Sequence, residues 1–370
     1  MWWRKKRTYL DYAAGAVGNP SSPHEEGRKT KKMLEDARTV IARLLEVQSD
    51  DVIFTSGATE SNALAILGIA KVGDHVLYLS SAHASVVENM KLLSERGVDI
   101  EALPIKDGRV DCEKLKGIVR PKTKLVAMDA VCGETGVVWN TREVAQVLKN
   151  KVQPCNKVEP CFLHLDASQA PLTEKMTRAH FSADLLTLDG SKVGVRGIGA
   201  LVAHRTISIT PLYRGGGQER GLRPGSESPE LAQKFAAALL AAARGRESFC
   251  ARAERARMSL ISLVRPIPHI LINEGKVRAP NILNLSLPGR DTDYLVALLD
   301  EAGFAVSTRS ACETDSAEGS RAVLAFTSDQ ERARSTLRIS WGPDVRSSEL
   351  DRFAQALARA VEFIDNSSHG

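Results

Sequence analysis

"LLTLDGSKVGVRGIGALVAH", residues 185–204, places a single lysine, Lys192, between an apolar run and a glycine-rich run. The first run has the length of a strand, the small polar residues after it indicate a turn, and the second run predicts another strand. A lysine at the end of a buried strand loses hydration, which lowers the pKa of its amine and makes it a usable nucleophile. The alternative interpretation is a snorkelling lysine whose ammonium group reaches water.

The segments before this stretch alternate between strand and helix patterns. Apolar runs of strand length begin at residues 52, 74, 123, 161 and 183, and helix patterns cover residues 25–47 and 85–97. Such alternation is typical of a parallel sheet that helices cover on both faces. We therefore predict an α/β fold with a mainly parallel sheet.

The pattern changes after about residue 245. A helix from Leu231 to about Val264 leads into a mixture of strands and helices, and 370 residues exceed what one core usually supports. We predict a large domain of residues 12–245 and a smaller α+β domain of residues 246–370, which also takes in residues 1–11.

The composition speaks against several classes of protein. The net charge of +5 is too small to favour a nucleic-acid partner, and the chain lacks the run of about 18 apolar residues that a transmembrane helix needs. The six cysteines contain no CxxC pair, which disfavours a zinc site or a disulfide framework and fits a reducing cytoplasm. We interpret the basic start, MWWRKKRTYL, as a frayed terminus and not a secretory signal; a membrane- or nucleic-acid-binding stub is the alternative.

Three further positions carry chemistry that their surroundings leave open. Thr59 follows a strand at the predicted start of a helix. It either helps the backbone N–H groups there to bind a phosphate, or caps the helix in a capping box with Asn62. Asp166 ends an apolar strand and needs a partner, either a protonated ring nitrogen or an ordinary salt bridge or cap. Cys312 lies among small polar residues that predict an exposed mobile loop. Its thiol is either a nucleophile, whose thiolate form the charge of Arg309 would favour, or an incidental thiol.

Nine sequence blocks, in the same order along most of the chain, are similar to those of a known enzyme family. They are YLDYAA (9–14), GNPSS (18–22), VIFTSGATESNALAI (52–66), HLDASQ (164–169), GSKVGVRGIGAL (190–201), GGGQERGLRPGSESP (215–229), APNILNLS (279–286), RSAC (309–312) and LRISWG (337–342). In these blocks the chain resembles the cysteine desulfurases, which are pyridoxal-phosphate (PLP) enzymes of the class-V aminotransferase family with fold type I. The resemblance implies that fold, that cofactor and a symmetric homodimer.

The resemblance also assigns cofactor-binding roles. Lys192 would hold the cofactor covalently, and Asp166 would pair with the pyridine nitrogen and keep it protonated. Gln169 would donate to the ring hydroxyl oxygen, and His83 would stack on the ring and shuttle protons. Ala58 and Thr59 would bind the phosphate, and Ser226 takes the place of a family threonine that reaches the phosphate from the partner subunit.

The same resemblance assigns roles toward the substrate to two residues. Arg338 matches the arginine that binds the substrate carboxylate, a bidentate task that suits a guanidinium. Cys312 matches the nucleophile that takes the sulfur of L-cysteine as a persulfide, with Lys192 removing the α-proton and alanine leaving. The expected partners are L-cysteine and a sulfur-acceptor protein that serves iron–sulfur cluster assembly or tRNA thiolation.

The chain departs from the family pattern near the ring and the phosphate. In CGETG (132–136), Gly133 stands where the family has an asparagine against the ring hydroxyl. In DGSK, Asp189 stands where a serine commonly meets the phosphate, so we expect Asp189 to point elsewhere and Ser191 to compensate. These changes keep two alternatives open: a related PLP lyase, such as a selenocysteine lyase, or a catalytically impaired paralogue that serves as a scaffold.

Overall fold

The computed structural model of the chain describes residues 7–16, 18–152, 160–308 and 319–367. In this part of the chain the strands are β1 (Val52–Thr55), β2 (His75–Tyr78), β3 (Asp99–Ala102), β4 (Ile105–Lys106), β5 (Arg109–Val110), β6 (Thr123–Asp129), β7 (Phe162–Asp166), β8 (Leu185–Asp189), β9 (Gly199–Ala203), β10 (Leu271–Ile272), β11 (Ile282–Ser286) and β12 (Thr336–Ser340). The helices are α1 (Glu25–Leu45), α2 (Ala58–Ile69), α3 (Ala84–Glu95), α4 (Cys112–Ile118), α5 (Thr141–Val152), α6 (Arg178–Phe181), α7 (Pro229–Val264), α8 (Thr292–Glu301), α9 (Arg321–Thr327), α10 (Gln330–Arg334) and α11 (Ser347–Ser367). The helices predicted at residues 25–47 and from Leu231 to Val264 are therefore present as α1 and α7.

Seven strands form the large sheet in the order β1-β9-β8-β7-β6-β2-β3. All neighbours pair in parallel except β9, which runs antiparallel to both β8 and β1. Residues 190–198 connect β8 to β9, which is shorter than the dozen or so residues that a parallel crossover requires. The short connection around Lys192 therefore explains the one reversed strand, and the predicted mainly parallel α/β fold is confirmed.

Most strands of this sheet are buried on both sides. Strands β1 and β9 and nearly all of β6, β7 and β8 are buried, since runs such as LVAM and LLTL carry no exposed polar face. Helix α2 packs against β8 and β9, and α1 packs against α7. This packing fixes the carboxyl ends of the strands at one edge of the sheet.

The C-terminal part has a second sheet, β10-β11-β12, which is antiparallel. Helices α8 and α11 pack beside it around a separate apolar cluster that includes Leu283, Leu337 and Phe353. Helix α7 contributes to both clusters, with Phe235 in the large one and Leu260 in the small one. The domain boundary near residue 245 falls within this continuous helix and stays a prediction.

Candidate active site at the strand ends

Three neighbouring parallel strands, β6, β7 and β8, each end in an aspartate. Asp129, Asp166 and Asp189 all line one pocket, and Asp129 stands opposite Asp166 in the strand register. Ligands of open α/β sheets bind at this edge, outside the carboxyl ends of the strands. Helix N-termini, an exposed turn and one strand of the small sheet supply the rest of the pocket.

Asp166 is buried and held by two hydrogen bonds. The Asn62 amide donates to its Oδ2 at 2.7 Å, and the Ser168 backbone N–H donates to its Oδ1 at 2.9 Å. Below it on β7, burial lowers the pKa of His164 to about 4, so this imidazole is neutral and bonds Thr187 across the sheet at 3.0 Å. Two donors and a neutral neighbour leave Asp166 as a fixed anion that can pair with a cationic group.

His83 joins the same network at the start of α3. Its Nδ1 accepts from the backbone N–H of Ser85 at 3.2 Å and lies 2.8 Å from the Ser85 hydroxyl, which in turn accepts from Asn62 at 2.8 Å. Because Nδ1 accepts from a backbone N–H, the proton of the neutral imidazole belongs on Nε2. The exposed ring of His83 is thus connected to Asp166 through Ser85 and Asn62.

The loop before α2 brings a helix N-terminus to the pocket. Helix α2 begins at Ala58 and its N-cap is Gly57, at φ 155°, so Thr59 does not cap the helix as the alternative interpretation held. Gly57 adopts this positive φ, which other residues rarely do. The first-turn N–H groups of a helix have no intrahelical acceptors and favour anions, and Ala58 and Thr59 line the pocket at this point.

Asp189 faces this anion-binding point. Its Oδ1 accepts from the Ser191 backbone N–H at 2.9 Å. The same oxygen lies 4.0 Å from the position that a Cβ atom would occupy on Gly57. The expectation that Asp189 points elsewhere is therefore wrong, because the Asx turn with Ser191 keeps its carboxylate at the mouth of the loop. Ser191 itself is exposed and is not among the residues that line the pocket.

Lys192 lies in a 3₁₀ turn, Gly190–Val193, immediately after β8. The turn puts its side chain at the pocket lining but leaves the residue exposed, so Lys192 is not buried in a core as its apolar flanks suggested. The flanking apolar runs belong to β8 and β9, and the chain leaves the sheet between them.

The small sheet reaches the pocket through Arg338 on β12. This half-buried arginine donates to the backbone carbonyl of Gly133 at 3.4 Å. A Cβ on Gly133 would lie 2.8 Å from Nε2 of Gln169, so the absence of a side chain at residue 133 makes room for this glutamine. Gln169 therefore occupies the space that a larger residue at 133 would need.

The structure does not place every predicted site residue in this pocket. Ser226 is exposed and is not part of this pocket, and Cys312 lies outside the described residues, as does Arg309. The flanks of residues 309–318 do reach the site: Ser307 pairs with the backbone of Arg338, and Arg321 lines the pocket.

Sequence reasoning missed several residues of the site. Asn62, Ser85 and Ser168 orient the predicted residues, and Asp129 and Arg321 line the pocket. A signal for Asp129 was present, because VAMD, LHLD and LTLD repeat one pattern of an apolar strand closed by aspartate. Asn62 carried no comparable signal, since Ser85 and Asp166 lie 23 and 104 positions away from it, and Ser85 and Ser168 are common residue types at such turns.

Two classes of feature are absent from the described residues. Within the ranges given above, no helix is long and apolar enough to cross a membrane. The same residues contain no cluster of histidine, cysteine, aspartate and glutamate side chains that could hold a metal ion.

Comparison with known proteins identifies relatives over nearly the whole chain. Residues 5–353 match the aminotransferase class-V family model. The chain is 32% identical to cysteine desulfurase IscS 1 of Archaeoglobus fulgidus over 95% of its length and 92% of that protein, and 32% identical to cysteine desulfurase IscS of Rickettsia typhi over 97% and 88%. Among solved structures, a NifS-like protein superposes with a TM-score of 0.86 at 28% identity, covering 95% of this chain and 93% of that one. The structure titled SspA in complex with cysteine superposes with a TM-score of 0.74 at 27% identity, covering 90% and 93%.

Proposed function

Because the chain belongs to the cysteine desulfurases of the class-V aminotransferase family, we propose that it converts L-cysteine to L-alanine with PLP and takes the sulfur as a persulfide on Cys312. The observation that carries the proposal is the buried Asp166 carboxylate, held by Asn62 and Ser168 at the edge of the sheet where Lys192 and the N-terminus of α2 meet. The reaction is proposed from the names of the relatives, and the side chains of the pocket are chemically suited to it.

The residues of the pocket fit this cofactor by their chemistry. Asp166 is an anion suited to a protonated ring nitrogen, Lys192 offers a primary amine, and Ala58 and Thr59 lie at a helix N-terminus suited to a phosphate. Gln169 and His83 would contact the ring hydroxyl and the ring face. When bound, the cofactor supplies an electron sink for the bonds at the α-carbon of the substrate.

The chain's own residues would then bind the substrate and move its protons. Arg338 would exchange its 3.4 Å bond to the Gly133 carbonyl for a bidentate pair with the substrate carboxylate. Lys192 would take the α-proton, and Nε2 of His83 would exchange a proton with the substrate at the mouth of the pocket. The network through Ser85 and Asn62 would hold His83 in that orientation.

Cys312 would complete the reaction as the nucleophile. Its thiolate attacks the sulfur of the substrate, an S–S bond forms, and the C–S bond breaks with its electron pair going to the carbon, which takes up a proton to give alanine. The persulfide sulfur then passes to an acceptor protein, or leaves as sulfide when a thiol reductant is present.

The cellular setting proposed for this reaction is a reducing cytoplasm, since Cys112, Cys132, Cys161 and Cys250 are free thiols. A homodimer is part of the proposal, because Ser226 is exposed on its own subunit and would reach the phosphate of the partner's site.

The test is alanine formation by the purified protein given PLP, L-cysteine and a thiol reductant. We expect alanine from the parent and a loss of at least about 10³-fold in Cys312→Ala, with Cys161→Ala as the matched control at parental rate. Equal rates in parent and Cys312→Ala would refute the persulfide step, and no alanine from either would refute the desulfurase activity.

Two alternatives are separated by related measurements. A selenocysteine lyase would release alanine from selenocysteine and be inhibited by L-cysteine. A scaffold paralogue is favoured by Asp189, whose carboxylate faces the N-terminus of α2 where a phosphate would bind. The scaffold interpretation predicts that the protein does not bind PLP and that Lys192→Ala leaves its biological role intact.

A further inference from the structure

Asp129 and Asp166 form a pair of buried carboxyl groups. They end neighbouring parallel strands in register, so their side chains project on the same side of the sheet, and both line the pocket with exposures of 5% and 6%. Two carboxyl groups this close in a buried site do not both ionise readily, because like charges repel strongly in a medium of low dielectric constant.

The hydrogen bonds differ between the two members. Asp166 accepts from Asn62 at 2.7 Å and from Ser168 at 2.9 Å, whereas the described residues supply Asp129 with one long hydrogen bond, from the His83 backbone N–H at 3.4 Å. Since donors stabilise the charged form of a carboxyl group, the negative charge belongs on Asp166.

We infer that Asp129 is a positioning residue that carries the proton of this pair, so that Asp166 is the one anion of the two. As a neutral acid, Asp129 adds no negative charge of its own to the pocket in which Arg338 would bind the substrate carboxylate. The protonation follows from the geometry of the pair, and its use in catalysis rests on the proposed function.

The other ionisable groups around Asp129 agree with this assignment. Burial, and next the charge of Asp166, raise the pKa of Asp129 well above its usual range, and the Arg321 guanidinium opposes them more weakly. Cys132 in the following turn is neutral, because burial raises the pKa of its thiol to about 11. The remaining ionisable side chains that line the pocket are His83, Glu134, Asp189, Lys192 and Arg338.

Infrared spectroscopy tests the proton directly on the full chain without cofactor. At neutral pH the parent should show a protonated-carboxyl C=O band that is missing in Asp129→Asn and kept in the control Asp189→Asn. In Asp166→Asn this band should titrate at lower pH, because the repelling charge is gone. A parent spectrum in this region identical to that of Asp129→Asn would overturn the assignment, and an unshifted titration in Asp166→Asn would overturn the coupling. Circular dichroism establishes that each variant is folded.

Kinetics on the PLP-loaded enzyme tests the role in substrate binding. As pH rises, the ratio of the parent KM for L-cysteine to that of Asp129→Asn should increase about tenfold, while the ratio of kcat values stays constant, because an ionised Asp129 repels the substrate carboxylate. A KM ratio independent of pH would overturn the positioning role even where the infrared band is present. Absence of any alanine formation would instead refute the proposed function and leave the infrared assignment standing.

Discussion

The two halves of the pocket are built differently. The half at the edge of the large sheet is a continuous chain, in which Asp166, Asn62, Ser85 and His83 are joined by hydrogen bonds of 2.7–2.8 Å. The half from the small sheet reaches in with Arg338, whose one side-chain hydrogen bond to the described residues is the 3.4 Å bond to the Gly133 carbonyl. The first half is preorganised for a permanent occupant, and the second is suited to a ligand that arrives and leaves in each turnover.

Removing the arginine should break the small-sheet half alone. In Arg338→Ala we expect KM for L-cysteine to rise about 30-fold or more with kcat changed only a few-fold, because a bidentate pair with the carboxylate is lost. Cofactor affinity should be unchanged, and Arg346→Ala, which removes an exposed arginine outside the pocket, is the control. A loss of cofactor binding in Arg338→Ala would show that the two halves are not separable.

Removing the amide should break the sheet-edge half. In Asn62→Ala, Asp166 and Ser85 each lose a donor, so we expect PLP to bind about tenfold more weakly, measured by fluorescence titration. KM for L-cysteine, measured at saturating PLP, should stay near the parent value. Asn89→Ala, whose amide donates to a backbone carbonyl of α3, is the matched control; an equal loss in both variants would argue against a specific role for Asn62.

The buried imidazole makes the sheet-edge half sensitive to acid. Burial lowers the pKa of His164 from 6.5 to about 4, so the unfolded chain binds a proton that the folded chain excludes, and stability falls as pH drops from about 6.5 towards 4. Between pH 7 and pH 5 we expect this group to remove roughly 1–2 kcal/mol from the free energy of unfolding, measured in urea. His164→Gln should remove that part of the dependence. An unchanged pH profile would contradict this interpretation.

The smallest effect is expected where the two halves touch. In Gly133→Ala the new methyl group would displace the end of Gln169, whose Nε2 lies 2.8 Å from that position, and the flexible side chain can move. We expect a changed absorbance spectrum of bound PLP and an alanine rate within about threefold of the parent. Gln169→Ala should cause the same spectral change, and the double variant should add nothing to it; additive changes would mean that Gly133 acts through another residue.

The residues of the sheet-edge half could be predicted from the sequence better than those of the small-sheet half, and the reasons are physical. Strand ends such as LHLD and LTLD are local patterns, so Asp166 and the turn with Lys192 could be placed from them. The exposure of Lys192 stayed open in the sequence, because apolar flanks do not reveal whether the side chain after a strand end is desolvated or reaches water. Bonds such as Asn62 to Asp166 join residues 104 positions apart, and no local pattern predicts them.

The most direct test of the account is the visible absorbance of the purified chain during titration with PLP, in the parent and in Lys192→Ala. We predict one equivalent bound per chain, with an absorbance band in the parent that is absent from Lys192→Ala and kept in Lys175→Ala, an exposed lysine outside the pocket. An unaltered band in Lys192→Ala, or no binding by the parent, would contradict the claim that this sheet edge is a cofactor site.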